Sequence, residues 1–113
     1  MWVFGKDGFM SITALPGRDD YLFVQTKSKE HLEDWFPEAT HHSKMYTSYP
    51  HRAVVSREDV ALALIEYVMN IIYDDFRVAI EEIPYNQACN EIYFNGINLY
   101  SRYRQQIRSR GGI

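Results

Sequence analysis

Cysteine is nearly missing from this sequence: Cys89 is the only one in 113 residues. That excludes an internal disulfide and a cysteine-rich zinc site, and a reducing compartment, the cytoplasm, is the simplest expected setting. Excess positive charge is missing as well. Twelve Lys plus Arg stand against 15 Asp plus Glu, a formal charge of −3, which disfavours a general nucleic-acid binder because such a protein needs a broad cationic surface against phosphate. No apolar run approaches the ~20 residues a bilayer requires, so no membrane contact is expected, and Met1 leads into a strand-like segment rather than a signal peptide. There is no internal repeat, which argues against a solenoid. Catalytic signatures are absent too: no serine has a G-x-S-x-G setting and no Gly-rich loop has phosphate-binding spacing.

What is present is the material of one compact domain. At 46% hydrophobic, 15% aromatic and 24% charged residues, the chain can bury a core, and disordered or low-complexity readings fall away. The opening MWVFGKDGFMSITA reads as a hairpin, with Gly5 and Gly8 supplying positive φ around Lys6 and Asp7. A third strand is expected over residues 21 to 26, with Leu22 and Val24 on one face. Ser28 caps a short helix over 29 to 36 that Pro37 ends. Residues 38 to 48 read as a surface loop with a brief strand at 45 to 47, and β character returns over 49 to 55.

Ser56, followed by Glu58 and Asp59, marks a helix start. Val60, Ala61, Leu64, Ile65, Val68, Ile71 and Ile72 form an apolar stripe expected to lie across the sheet. Asp74 is expected to cap a helix over 75 to 82, closed by Pro84. A long helix then starts at Tyr85 or Asn86 and reaches about Arg108, with Ile92, Gly96, Leu99, Tyr103 and Ile107 on one buried face and Gly111-Gly112 as a fraying tail. The expected fold is α+β: a small, mostly antiparallel sheet of three to five strands, packed on one face by a central amphipathic helix, with further helices at the C-terminus.

Chemistry-bearing residues are few. His41 and His42 are adjacent, and neither His31 nor His51 has a second ligand at helical spacing, so a metal site, and with it a metal-dependent hydrolase, is the least favoured reading. Cys89 has no base beside it and reads as a small buried hydrophobe. The segment holding Tyr73, Asp74, Asp75, Phe76 and Arg77 is densest in polar and aromatic groups. Capping by the aspartates and core packing by Phe76 and Ile80 account for most of it; alternatively Tyr73, Asp75 and Arg77 rim a groove against Tyr49, His51 and Arg52. Nine tyrosines exceed what so small a core hides, because each hydroxyl needs a partner. The last helix adds Tyr93, Tyr100, Arg104 and Arg108, and the last twelve residues, which also hold Arg102 and Arg110, contain no acid. Dipole complementation explains arginines there; a tyrosine-edged, arginine-rimmed ridge for an acidic protein surface is the sharper account.

The strings MWVFGKDGFMSI, YPHRAVVS and IIYDDFRVAI resemble a family of small uncharacterised proteins of bacteria and their phages, over about the first 80 residues. The family pattern is MW(I/V)F, then GF(F/M/V)S, a Y-x-(F/H)-R strand and a YD(N/D)F(K/R) element. Here Asp75 stands where Asn is usual, Arg77 where Lys is usual, and Ile72 where Asp is usual. The resemblance implies a bacterial or viral protein at work in a bacterial cytoplasm, and it implies no activity. The expectation from all these features is a non-enzymatic protein-binding module without cofactor, acting on a host or bacterial protein partner or pairing as a homodimer. A small-ligand or nucleotide-binding protein is the alternative, with a pocket near the segment from Tyr73 to Arg77, where tyrosine faces stack a base and Arg52 or Arg77 meets phosphate.

Overall fold

The computed structural model describes residues 1–111, with side chains through Ser109. The chain forms two compact units, Met1–Asp74 and a second from Asp75 onward.

The first unit is built on a five-stranded antiparallel sheet in the order β1-β2-β3-β5-β4. Strands β1 (Trp2–Gly5) and β2 (Gly8–Ala14) form the expected hairpin, in register Val3 to Met10 and Gly5 to Gly8. Its glycines serve a different purpose from the one expected. Neither adopts the left-handed region; instead, a Cβ on Gly5 would lie 2.7 Å from the Tyr67 ring and 2.9 Å from Trp35, and one on Gly8 would lie 2.7 Å from His31. Close packing, not turn conformation, demands glycine at both positions.

Strand β3 (Tyr21–Thr26) pairs with β2 and with β5 (His51–Ser56). Ile12, Val24 and Ala53 line up across three strands, as do Ala14, Leu22 and Val55. Of these, Ile12, Val24, Ala53, Val55 and the partly buried Leu22 join the core beneath helix α1 (Lys29–Trp35), while Ala14 is exposed. The first turn of α1 is fixed by Ser28 accepting from the His31 N–H, and the helix buries His31, Leu32 and Trp35. The core is Met10, Ile12, Val24, Leu32, Trp35, Phe36, Ala53, Val55 and Val60. The brief strand in the following loop, β4, is His42–Ser43 rather than residues 45 to 47. It pairs with β5 at Arg52 and His51, while Tyr46 takes a positive φ of 60° that breaks strand geometry just where the extension was expected.

Helix α2 (Arg57–Met69) starts as expected, with the Ser56 hydroxyl accepting from the Asp59 N–H. Its inward face is Val60, Ala63, Leu64 and Tyr67. Ala61, Ile65 and Val68, assigned by sequence to the buried stripe, are exposed on the helix's other side, and Ile71 and Ile72 beyond its end are exposed too. The helix is apolar on two faces, and periodicity alone does not say which one the sheet receives.

In the second unit, α3 (Phe76–Ala79) is capped by Asp75 and not by Asp74: the Asp75 carboxylate accepts from the Arg77 N–H. Pro84 does not close that helix. It sits in the first turn of α4 (Ile83–Glu91), where a missing N–H costs nothing. The Asn86 side chain donates to the Ile80 carbonyl and ties α3 to α4. From Glu91 the helix continues through a π-helical segment, Ile92–Ile97, into α5 (Asn98–Gly111). Gly96 lies in that wide turn, and the Asn98 amide donates to the Phe94 carbonyl at 2.9 Å, giving that acceptor a side-chain partner. The expected buried face from Ile92 to Ile107 fails here. From Glu91 to Ser109 every residue is exposed except the half-buried Leu99, so the helix buries no face in this chain, and Ile92, Tyr103 and Ile107 stand exposed. Of the expected tail, Gly111 closes α5 and Gly112 lies outside the described residues.

Candidate interaction surfaces

The sheet face opposite α1 and α2 follows from strand alternation. It carries Trp2 and Phe4 from β1, Phe9 from β2, Tyr21 and Phe23 from β3, and Arg52 and Val54 from β5. Phe4 stacks on Phe9 with ring centroids 4.7 Å apart, and Phe9 meets Tyr49 at 6.2 Å. Cations lie over three of the rings: Arg18 over Tyr21, Lys27 over Tyr49 and Arg52 over Phe23. Tyr49 and Arg52 are joined directly, since the Arg52 guanidinium donates to the Tyr49 carbonyl at 3.2 Å. His51 lies in register with Thr26, on the helix-bearing side of β5, so it does not share a face with Arg52.

Between α1, α2 and the first turn lies a cleft of 290 Å³ lined by Lys6, Asp7, Asp34, Trp35, Glu66, Tyr67 and Tyr73, among others. Trp35 and Tyr67 stack at 3.8 Å, and the Tyr67 hydroxyl donates to Asp7 at 3.2 Å. Burial, with the Asp7 charge and this hydrogen bond behind it, pushes the Tyr67 phenol well above the ordinary tyrosine range. Three carboxylates against Lys6 make this lining hospitable to a cation and poor for phosphate. Of the segment expected to form one polar rim, Tyr73 belongs to this cleft in the first unit, whereas Asp75 and Arg77 belong to the second, where Arg77 approaches Asp75 at 4.0 Å and lies over the rings of Tyr93 and Phe94. Tyr93 is therefore engaged with Arg77 rather than extending the ridge of Tyr100, Arg104 and Arg108 on α5, all three of which are exposed.

The surface that sequence reasoning missed is the outer side of α2. Leu62, Ile65, Val68 and Met69 are all exposed there, Ile65 at 57%, and Ile72 just beyond the helix is exposed at 96%. At about 100° per residue this stripe is centred about 150° around the axis from the buried side chains. The available signal was the spacing of Val60, Leu64 and Tyr67, which makes a complete inward stripe by itself.

Catalytic and metal chemistry gains little from the geometry. Burial pushes the Cys89 thiol up, partly offset by a hydrogen bond with Tyr85, so its thiolate is scarce at neutral pH. Among the described residues no group of three or more His, Cys, Asp or Glu could hold a metal ion, and no helix is long and apolar enough to cross a membrane. No family model matches this sequence, and no curated protein or solved structure matches it either.

Proposed function

We propose that this chain is a non-enzymatic protein-binding module of bacterial or phage origin that works by covering a surface on a protein partner, a class that includes inhibitors of bacterial defence systems. The observation that carries this reading is the outer face of α2, where Leu62, Ile65, Val68 and Met69 stand in solvent beside a fully formed inner face. Isolated exposed apolar residues are ordinary, but a contiguous stripe edged by Asp59 and Glu66 has the make-up of a binding surface. The aromatic sheet face and the tyrosines of α5 supply further residue types favoured at protein interfaces.

The test is capture by the tagged full-length chain from an extract of its natural host, with a differently tagged copy of the chain added. Retention of a protein, lost when Ile65→Asp replaces an apolar contact by a charge, supports the reading. Failure to retain any protein, the second copy included, overturns it. So does retention that Ile65→Asp leaves unchanged.

A further inference from the structure

Resting on that reading of α2, we propose that one occupant of its outer face is α5 of a second copy of this chain. The argument is one of matched stripes and matched charge. On α2, Ala61, Leu62, Ile65, Val68 and Met69 share one side, and Asp59 and Glu66 flank it, about 100° further round in the sense of increasing residue number. On α5, Leu99, Tyr100, Tyr103 and Ile107 share one side, and Arg104 and Arg108 flank it in that same sense. Two helices packed face to face bring flanks of the same sense together only when they run antiparallel. In that orientation the arginine flank of α5 lies along the carboxylate flank of α2.

The spacings agree as well. Asp59 and Glu66 are separated by about 10 Å along the axis and Arg104 and Arg108 by about 6 Å. Setting the two pairs on a common centre leaves each guanidinium about 2 Å along the axis from a carboxylate, an offset that an arginine side chain readily spans. Both stripes are free to meet: Tyr100 and Ile107 are exposed at 63% and 66%, and Asp59, Glu66, Arg104 and Arg108 are all exposed. None of the ion pairs found among the described residues uses these four. An antiparallel partner also brings the negative end of α5 toward the positive end of α2, a favourable meeting of dipoles. Each copy carries both surfaces, and the proposal is that the docking is reciprocal, α5 of each on α2 of the other, which closes the assembly at two copies.

Sedimentation velocity of the full chain across a concentration series tests this with charge-reversed variants. The wild-type chain sediments as a dimer at high concentration. Glu66→Arg alone and Arg104→Glu alone each weaken the dimer about a hundredfold, since each repeats a like-charge contact twice. An equimolar mixture of the two variants restores it. In the mixed pair one of the two docked surfaces keeps the native Glu66 with Arg104, and the other carries the same ion pair with its signs exchanged. Matching circular dichroism and unfolding midpoints for the three proteins establish that they fold alike. Should a reversal unfold its chain, the milder pair Glu66→Gln and Arg104→Gln replaces it, and each then weakens the dimer. A chain that stays monomeric at every concentration overturns the proposal, and if it still captures a host protein through Ile65, the binding-module reading stands without it. A wild-type dimer that neither variant weakens, or that the mixture fails to restore, places the interface elsewhere and overturns it. Variants that alter stability while the mass stays monomeric place the pairing within one chain, which also overturns it.

Discussion

The ring of Tyr67 lies flat on that of Trp35, with centroids 3.8 Å apart and planes inclined by 20°. Both rings press on the space above Gly5, where a Cβ would come within 2.9 Å of each. This stack joins α1 to α2 over the first hairpin, on the same side of α2 as the core residue Val60. Tyr67→Ala is expected to destabilise the chain by about 2 kcal/mol, less than a fully buried aromatic because the ring is only half-buried. Tyr67→Phe keeps the stack, gives up the bond to Asp7, and is expected to cost about 0.5 to 1 kcal/mol. Urea unfolding midpoints of the two variants check both values.

Alkaline stability follows from the same residue. The folded state holds the Tyr67 proton more tightly than the unfolded chain, which releases it near pH 10. The contribution of Tyr67 is therefore fully present below about pH 10 and is lost as pH rises above it, because the unfolded chain ionises first. The drop in unfolding midpoint between pH 9 and pH 11 is expected to be shallower for Tyr67→Phe than for the wild type. Equal slopes would show that this phenol is not held protonated by the fold.

Gly5→Ala tests the packing role of the hairpin glycine. Overpacking against two rings and the facing strand is expected to cost about 1 to 3 kcal/mol, measured by urea unfolding. Gly17 is the useful contrast. It adopts a φ of 79° with open space around it, so Gly17→Ala loses stability through backbone strain alone, by about 1 kcal/mol.

Much of this fold was legible from sequence, and the reasons for success and failure are local. Ser28 and Ser56 announced their helices because an N-cap is a chemical requirement satisfied within three residues. The hairpin and the Leu22 and Val24 face were readable because period-two alternation is unambiguous in a sheet with one buried face. The misreading of α2 arose from surplus. Val60, Leu64 and Tyr67 suffice for the core, but Ile65 and Val68 extend the apolar arc, and the inward face is marked only by tertiary contacts, the stack of Tyr67 on Trp35 among them, between residues far apart in the chain. Pro84 misled because a proline that ends one helix is equally suited to the first turn of the next. The π segment had no expected counterpart, and the apolar stripe of α5 misled because an amphipathic helix reads as core-facing whether or not its own chain covers it. Of the candidate site residues, Arg52 and Tyr49 meet on one sheet face, His51 turns to the other, and Asp75 is accounted for by its cap.

Cys89 offers a kinetic test of its surroundings. Because burial raises its pKa, its reaction with a thiol-specific reagent at pH 7.5 is expected to run at least about tenfold slower in the folded chain than in urea. A folded-state rate matching or exceeding the unfolded one would reveal an activated, accessible thiol and reopen covalent chemistry.

The claim that the outer face of α2 binds protein is tested most directly by methionine oxidation. Met69 on α2 is 77% exposed, Met45 in the loop before β5 is 71% exposed, and Met10 in the core is fully buried, so the chain carries its own controls. Treated with a methionine-selective oxidant as dilute purified protein, Met69 and Met45 are expected to oxidise at similar rates and Met10 far more slowly. In concentrated protein or host extract, Met69 is expected to become several-fold protected relative to Met45. A Met69 rate that tracks Met45 under every condition would contradict the account.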